Sequence, residues 1–133
     1  MVIKYWLSDK VKVEIELRSK VTILTGNSGT GKTLLFNTVP STLEDGTQVI
    51  CFTKKSFTAG LSEAIRTTSN ALFILDRFDL YKTPDIIDAI NKDASNKFVI
   101  ISRCWNGISY NDLTACNVIF DECEQVYKLQ TIE

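Results

Sequence analysis

The first twenty residues alternate between hydrophobic and polar side chains. Ile3, Tyr5 and Leu7 are separated by more polar positions, and residues 11–17 alternate strictly between apolar and charged side chains. Ser8-Asp9-Lys10, between the two runs, is a turn-forming sequence. A period of two is typical of strands with one buried and one solvent-facing side. Residues 1–20 are therefore predicted to form an antiparallel β-hairpin.

From Val21 onward the pattern changes to short apolar runs separated by segments with helical periodicity. The runs predicted as strands are residues 21–25, 48–52, 71–75 and 98–101. A helix-compatible run ends before Pro40, and Thr83-Pro84-Asp85 has the capping residue, proline and acid typical of a helix start. Alternating strands and helices predict a parallel sheet with helices on its faces. Residues 118–132 are predicted to be extended.

A glycine-rich loop follows the first apolar run. Gly26-Asn27-Ser28-Gly29-Thr30-Gly31-Lys32-Thr33 fits the pattern G-x-x-x-x-G-K-[ST] without a mismatch. The glycines let successive backbone N–H groups point toward one centre, and the helix expected from Gly31 adds the positive end of its dipole. Such a loop between a strand and a helix cradles phosphate groups.

The motif assigns a role to each position of the loop. Lys32 is expected to reach the β- and γ-phosphates, and the Thr33 hydroxyl is expected to bind Mg²⁺. The predicted nucleotide-binding residues are Gly26, Asn27, Ser28, Gly29, Thr30, Gly31, Lys32, Thr33 and Leu34.

A second signal is a carboxylate at the end of a later strand. Residues 71–75 are apolar and lead directly into Asp76. Alone, such a run could equally be a strand followed by a turn. Together with the glycine-rich loop, it predicts that Asp76 lies on the metal side of the site and acts mainly through a water ligand.

With both signals, the chain resembles the P-loop NTPases, with Gly26–Thr33 as Walker A and Leu72–Asp76 as Walker B. It is most similar to the additional-strand branch, in which a further strand lies between the Walker A and Walker B strands, and residues 48–52 look like that strand. The resemblance implies an α/β fold, a three-layer P-loop NTPase core with a mostly parallel sheet and an N-terminal antiparallel hairpin. It also implies ATP and Mg²⁺ as ligands.

The chain departs from this family at the position after Asp76. Many members have a catalytic Glu there, whereas this chain has Arg77. Asp79 resembles the second acid of a D-x-x-D variant and could act instead, although a helix-capping or solvated aspartate is an equal alternative. Ser102, after the strand at 98–101, corresponds to the polar residue that senses the γ-phosphate in the family. Lys32, Asp79 and Ser102 are thus the candidate catalytic residues.

The amino-acid composition excludes several classes of function. The 133 residues include no histidine, which excludes histidine-based acid–base chemistry, and 15 basic against 16 acidic residues give no field that would attract nucleic acid. Residues 104–133 carry five acids and only Lys128 as a base. The four cysteines form no C-x-x-C pair, and no signal peptide or membrane-spanning run is present. We expect a single reduced, cytoplasmic domain: a hairpin at 1–20, a nucleotide-binding core at 21–103 and a C-terminal extension at 104–133.

Three functions fit these observations. The first is a minimal Mg-ATPase that is slow or dependent on a protein partner or on self-association. The second is a regulatory module that binds nucleotide without hydrolysis, which Arg77 favours. In the third, the loop binds no nucleotide and the surface alone acts, with Trp6, Trp105 and Tyr110 either forming an exposed patch or being partly buried.

Overall fold

The computed structural model describes residues 1–25, 38–52, 60–102, 107–108 and 112–132. Within these ranges, eight strands form one sheet: β1 (Val2–Trp6), β2 (Lys12–Glu16), β3 (Val21–Leu24), β4 (Val49–Phe52), β5 (Leu72–Asp76), β6 (Lys97–Ile101), β7 (Leu113–Asp121) and β8 (Val126–Thr131). The described α-helices are α1 (Leu61–Thr67) and α2 (Pro84–Lys92), and a 3₁₀ turn spans Phe78–Leu80. The predicted helix before Pro40 lies mostly outside the described residues.

The strand order across the sheet is β1-β2-β8-β7-β3-β6-β5-β4. Neighbours from β7 to β4 run parallel, as do β2 and β8, whereas β1 with β2 and β7 with β8 are antiparallel. Of the described residues, 42% are in strands or β-bridges and 20% are in α- or 3₁₀-helices. The fold is therefore a mostly β arrangement built on one curled, mixed sheet. The prediction of a three-layer α/β core with a mostly parallel sheet is wrong.

The side-chain pattern explains why the described helices cover only part of one side of the sheet. Val21, Ile23 and Phe73 belong to the cluster that packs against both α1 and α2, and we call this side of the sheet the helix face. The strand pairing shows which residues of β8, β2 and β1 lie on the same side of the sheet as the helix face. They include Lys128, Glu14 and other charged residues. Charged positions have no apolar surface to bury under a helix, so this half of the sheet keeps a solvent-facing side.

The opposite face of the sheet carries a second apolar core. Leu24, Leu72 and Ile74 from the parallel strands belong to the same cluster as Ile3 and Val13 of the hairpin. Partly buried residues that pack against this cluster are Met1, Tyr5, Leu7, Val39, Tyr127 and Leu129. Apolar residues of β1 and β2 therefore attach the N-terminal hairpin to the rest of the sheet.

The N-terminal hairpin forms as its alternation predicts. Ile3 pairs with Ile15 and Tyr5 with Val13 in an antiparallel ladder, and the Ser8 Oγ accepts a hydrogen bond from the Val11 N–H at 3.2 Å in the turn. The start of α2 is also confirmed. Thr83 caps it by accepting a hydrogen bond from the Ile86 N–H at 3.2 Å, and Pro84 is the first helical residue.

The C-terminal residues belong to the sheet. β7 pairs in parallel with β3, while β8 returns along β7 and pairs in parallel with the first half of β2. The extended conformation predicted for residues 118–132 is confirmed over both strands, which are joined by a turn at residues 122–125. These strands connect the hairpin of residues 1–20 to the central strand β3.

The strand between β3 and β5 is β6, which pairs with both of them. The family resemblance predicts that residues 48–52 form the strand between the Walker A and Walker B strands. These residues instead contain β4, which is the last strand at one side of the sheet. That placement is wrong because sequence order does not determine spatial order: the chain first crosses to the edge and then returns strand by strand toward β3.

Candidate functional site

Four parallel strands end side by side at one edge of the sheet, which we call the carboxyl edge. Leu24 at the end of β3 pairs with Ile101 at the end of β6, which also pairs with Asp76 at the end of β5. Phe52 ends β4 beside Leu75. The residues that follow these strands are therefore brought together although they are far apart in the sequence.

The chain leaves β3 and its neighbour β6 in opposite directions. β3 is followed by β4 at the edge of the sheet, whereas β6 is followed by β7 on the far side of β3. In open α/β sheets, ligands bind outside the carboxyl ends of neighbouring parallel strands that connect to opposite sides. The parallel strands of this sheet share that connection pattern, so the carboxyl edge is a candidate binding position independently of the glycine-rich motif.

The predicted nucleotide-binding residues at 26–34, including Lys32 and Thr33, lie outside the described residues. The chain enters this segment from Thr25, whose N–H donates to the Cys116 carbonyl oxygen at 3.0 Å and whose hydroxyl donates to Asn117 Oδ1 at 3.4 Å. After residues 26–37, the described chain resumes at Thr38, whose hydroxyl oxygen is 3.2 Å from the Tyr5 hydroxyl oxygen. The structure therefore places the two ends of the segment and leaves the roles of Lys32 and Thr33 as predictions.

Asp76 is a buried carboxylate at the carboxyl edge. Its residue surface is only 7% exposed, and its Oδ1 atom is buried without a hydrogen-bond partner among the described residues. Burial raises the pKa of Asp76, with a smaller contribution from the charge of Asp79, while the charge and backbone N–H of Arg77 act in the opposite direction. Because a buried ionised oxygen normally has a partner, this atom is suited to a cation or a bound water.

The chain turns sharply after Asp76. Arg77 has a left-handed backbone with φ of 55°, and its residue surface is exposed. The following 3₁₀ turn is anchored by Phe78, which is fully buried, and contains Asp79. Asp79 Oδ1 is a second buried oxygen without a hydrogen-bond partner in the described part of the chain. This atom therefore forms no capping hydrogen bond there and is shielded from bulk water.

Two residues that the sequence did not indicate lie near these aspartates. Burial raises the pKa of the Tyr81 phenol, and the charges of Asp76 and Asp79 raise it further. The Tyr81 hydroxyl donates to the Phe52 carbonyl oxygen at 3.1 Å, which joins the turn after β5 to the end of β4. The residue surface of Cys51 is exposed, but partial desolvation raises the pKa of its thiol, and the charge of Asp76 adds to this. No sequence motif identifies either residue, because their proximity depends on the pairing of β4 with β5.

Ser102 follows β6 and is buried, with only 5% of its surface exposed. The pairing of Ile101 with both Leu24 and Asp76 brings Ser102 to the carboxyl edge between the ends of β3 and β5. Of the candidates described, Asp76, Asp79 and Ser102 are thus placed at one edge. Trp105 and Tyr110 of the possible aromatic patch lie outside the described residues. Trp6 is 65% exposed and belongs to β1, at the end of the strand order opposite to β4.

The chemistry of the donors at this edge suits a hard cation. Asp76 and Asp79 supply carboxylate oxygens, and Ser102 supplies a hydroxyl. Within the described ranges, no three His, Cys, Asp or Glu side chains are grouped so that they could hold a metal ion by themselves. Mg²⁺ commonly binds through one or two carboxylates, with phosphate oxygens and waters completing its shell. The two aspartates therefore fit Mg²⁺ that arrives with a phosphate ligand.

The sequence matches no protein-family model and no curated protein. The resemblance to P-loop NTPases therefore depends on the motif at Gly26–Thr33, on Asp76 and on the carboxyl edge. Among the residues that the structure describes, neither α-helix is long and apolar enough to cross a lipid bilayer.

Proposed function

We propose that this chain binds ATP with Mg²⁺ at the carboxyl edge of β3, β6 and β5, as a member of the P-loop NTPases. The observation that carries the proposal is Asp76, whose Oδ1 is buried without a hydrogen-bond partner among the described residues. It ends the strand two positions from β3, and β3 leads directly into Gly26–Thr33. The strand that leads into the phosphate-binding motif and the strand that ends in Asp76 thus end at the same edge of the sheet.

Electrostatics favours a cation at this position. Taking an ionised carboxylate out of water costs several kcal/mol unless a cation or hydrogen-bond donors replace the water. Here Asp76 and Asp79 each have one buried oxygen without a partner in the described structure, and the pKa values of Cys51 and Tyr81 are raised partly by the negative charge. A bound cation would offset this charge, so the site favours a ligand that brings one.

The expected roles follow from position. Residues 26–34 would hold the phosphates, with Lys32 at the β- and γ-phosphates and Thr33 and Asp76 on the metal side. Mg²⁺, when bound, neutralises phosphate charge. Asp79 is one 3₁₀ turn beyond Asp76 and would hold the attacking water, while Ser102 would contact the γ-phosphate. Hydrolysis would join the water oxygen to the γ-phosphorus, break its bond to the β–γ bridging oxygen and release a proton to Asp79 or solvent.

Arg77 favours a second candidate, a regulatory module that binds ATP but hydrolyses it slowly or not at all. Many P-loop ATPases orient the attacking water with a glutamate at this position. Here the residue is an exposed arginine with a left-handed backbone. If Asp79 does not compensate, nucleotide binding alone would serve as the switch, and a partner protein or a second copy would detect it.

Isothermal titration with ATP, ADP and GTP, with and without Mg²⁺, tests the binding proposal. We expect Lys32→Ala to weaken ATP·Mg²⁺ binding at least about tenfold, since hydrogen bonds to charged groups contribute about 1.5–3 kcal/mol. Asp76→Asn should abolish the advantage that Mg²⁺ confers while leaving binding of metal-free ATP in place. Lys10→Ala, in the exposed turn of the hairpin, is the matched control.

Phosphate release under saturating ATP separates the two candidate functions. Release above the Lys32→Ala background that is lost in Asp79→Asn supports the slow ATPase. Binding without release, at any protein concentration, supports the regulatory module. Folded protein that binds none of the three nucleotides would contradict both candidates.

A further inference from the structure

The two edges of the sheet differ in how they are covered. At one edge, the outer side of β4 is occupied at its start, because the Val49 N–H donates to the Ser41 carbonyl oxygen at 2.9 Å and Thr42 forms a bridge with Gln48. At the other edge, β1 pairs only with β2, and no segment of the described chain lies against its outer side. Among the described residues, β1 is therefore an open edge strand of five residues.

The hydrogen-bonding pattern shows which backbone groups face outward from β1. Met1 and Leu17 exchange hydrogen bonds in both directions, and the Leu7 N–H donates to the Val11 carbonyl oxygen. Because these bonds alternate along an antiparallel pair, odd-numbered residues of β1 bond to β2. The backbone N–H and C=O groups of Val2, Lys4 and Trp6 consequently point away from the sheet and remain available to another strand.

The side chains of the same three residues lie on one face. Val2 is 47% exposed and Trp6 is 65% exposed, and both are large hydrophobic residues on the solvent-facing side of the hairpin. Lys4 lies between them, with its Nζ 3.9 Å from a carboxylate oxygen of Glu14. Val-Ile-Lys-Tyr-Trp is rich in residues that favour strands and contains a single charge, so it is a strong candidate for pairing with another strand.

We propose that β1 pairs with β1 of a second copy of this chain, antiparallel and with Lys4 at the two-fold axis. In this register all three outward-facing residues form hydrogen-bonded pairs. Val2 lies opposite Trp6 of the second copy, and Trp6 lies opposite its Val2, so each exposed apolar side chain covers the other. The contact is isologous, closes on itself and continues the sheet of one copy into that of the next.

Charge limits the strength of the contact. The two Lys4 side chains face each other across the axis, which is unfavourable, while each is attracted to the Glu14 of its own chain. Across the two β2 and two β1 strands, the side chains level with the axis are therefore Glu14, Lys4, Lys4 and Glu14. Together these four side chains have no net charge. Lys4 thus limits association to a weak, reversible dimer, consistent with a contact far smaller than a standard interface of about 1,600 Å².

Sedimentation equilibrium of the full chain tests this pairing, in concentration series up to about 1 mM because small interfaces bind weakly. The wild type should show a monomer–dimer equilibrium with or without nucleotide. Lys4→Thr should strengthen association about fivefold by removing the like charges at the axis. Lys10→Thr removes the same charge from the turn and should leave the equilibrium unchanged.

Lys4→Pro provides the loss-of-association variant. Its missing N–H belongs to the outer edge, where proline is tolerated within the protein's own sheet, but it blocks pairing across the axis. Dimer formation should therefore be lost while the far-UV spectrum and melting temperature are kept. If this variant does not fold, Trp6→Lys serves instead, because its exposed side chain can be replaced without disturbing the core; it should weaken association at least about threefold.

A wild type that stays monomeric at about 1 mM would overturn the proposal. So would undiminished association of Lys4→Pro, which would place the contact elsewhere, or weaker association of Lys4→Thr, which would show another register. Pairing of β1 only with a strand of a different protein, while the wild type alone stays monomeric, also counts against a second copy as the occupant.

Discussion

The two halves of the sheet differ in how many sides of their strands are buried. In the parallel half, β3 and β5 are buried at every position, and α1 and α2 cover the helix face. In the half formed by β1, β2 and β8, buried residues alternate with more exposed ones along β1 and β2, and charged side chains face solvent. Only the parallel half brings several strand ends to one edge, so the candidate site lies there, whereas the hairpin half offers an open edge for association.

The largest expected difference between the halves concerns stability. Phe73 is fully buried and stacks on Phe98, with ring centroids 5.5 Å apart. Phe73→Ala should lower the free energy of unfolding by about 3–5 kcal/mol because it removes apolar contacts and leaves a cavity. Val2→Ala, at an exposed position of β1, should change it by less than about 0.5 kcal/mol. Urea unfolding of both variants measures the contrast, and similar losses would contradict the difference in packing between the two halves.

Removing the charge of Asp76 should have an intermediate effect on stability, and it should stabilise the protein. Without nucleotide or Mg²⁺, Asp76→Asn should raise the free energy of unfolding by about 1 kcal/mol, because an amide of the same shape is less costly to bury than a carboxylate with one oxygen that lacks a partner. Asp9→Asn, in the exposed turn of the hairpin, is the control and should change nothing. Chemical denaturation of metal-free protein gives the comparison. A destabilised Asp76→Asn variant would mean that the charge and backbone N–H of Arg77 outweigh the cost of burying the carboxylate.

The smallest expected effect is the pH dependence of an exposed ion pair between α1 and α2. The Arg66 guanidinium, 2.8 Å from Asp85 Oδ1, holds the pKa of Asp85 below its ordinary value, with a further contribution from Ser62. A lowered carboxylate pKa adds stability that is present above the ordinary pKa, about 3.9, and is lost as pH falls through the lowered value.

Thermal melts between about pH 2 and pH 6, which bracket the ordinary aspartate pKa, test this expectation. Asp85→Asn should melt slightly below the wild type at the upper end of this range, and the difference should vanish at the lower end. Glu124→Gln removes a carboxylate that pairs with Lys128 at 3.1 Å in the hairpin half, and it controls for exposed ion pairs in general. A difference between wild type and Asp85→Asn that grows as pH falls would contradict the sign.

The local patterns of the chain predict most of its elements. Alternation at residues 1–17 predicts the β1–β2 hairpin, the apolar runs predict β3 to β6, and Thr83-Pro84 predicts the start of α2. The overall architecture could not be predicted in this way. The positions of β6, β7 and β8 beside β3 and β2 depend on contacts between residues far apart in the sequence.

For the candidate site, the sequence identifies residue types but not their surroundings. Asp76, Asp79 and Ser102 could be named because they follow apolar runs, and the structure places them at one edge. The burial of the two aspartate oxygens and the proximity of Tyr81 and Cys51 arise only when β4, β5 and β6 pair. The roles of Lys32 and Thr33 stay predictions from the motif.

Titration of the full chain with ATP in the presence and absence of Mg²⁺, repeated for Lys32→Ala and Asp76→Asn, tests the proposed site most directly. We predict that the wild type binds ATP more tightly with Mg²⁺ than without it, that Lys32→Ala weakens binding at least about tenfold, and that Asp76→Asn loses the Mg²⁺ effect. Equal binding by all three proteins, or no binding by folded wild type, would contradict a nucleotide site at the carboxyl edge.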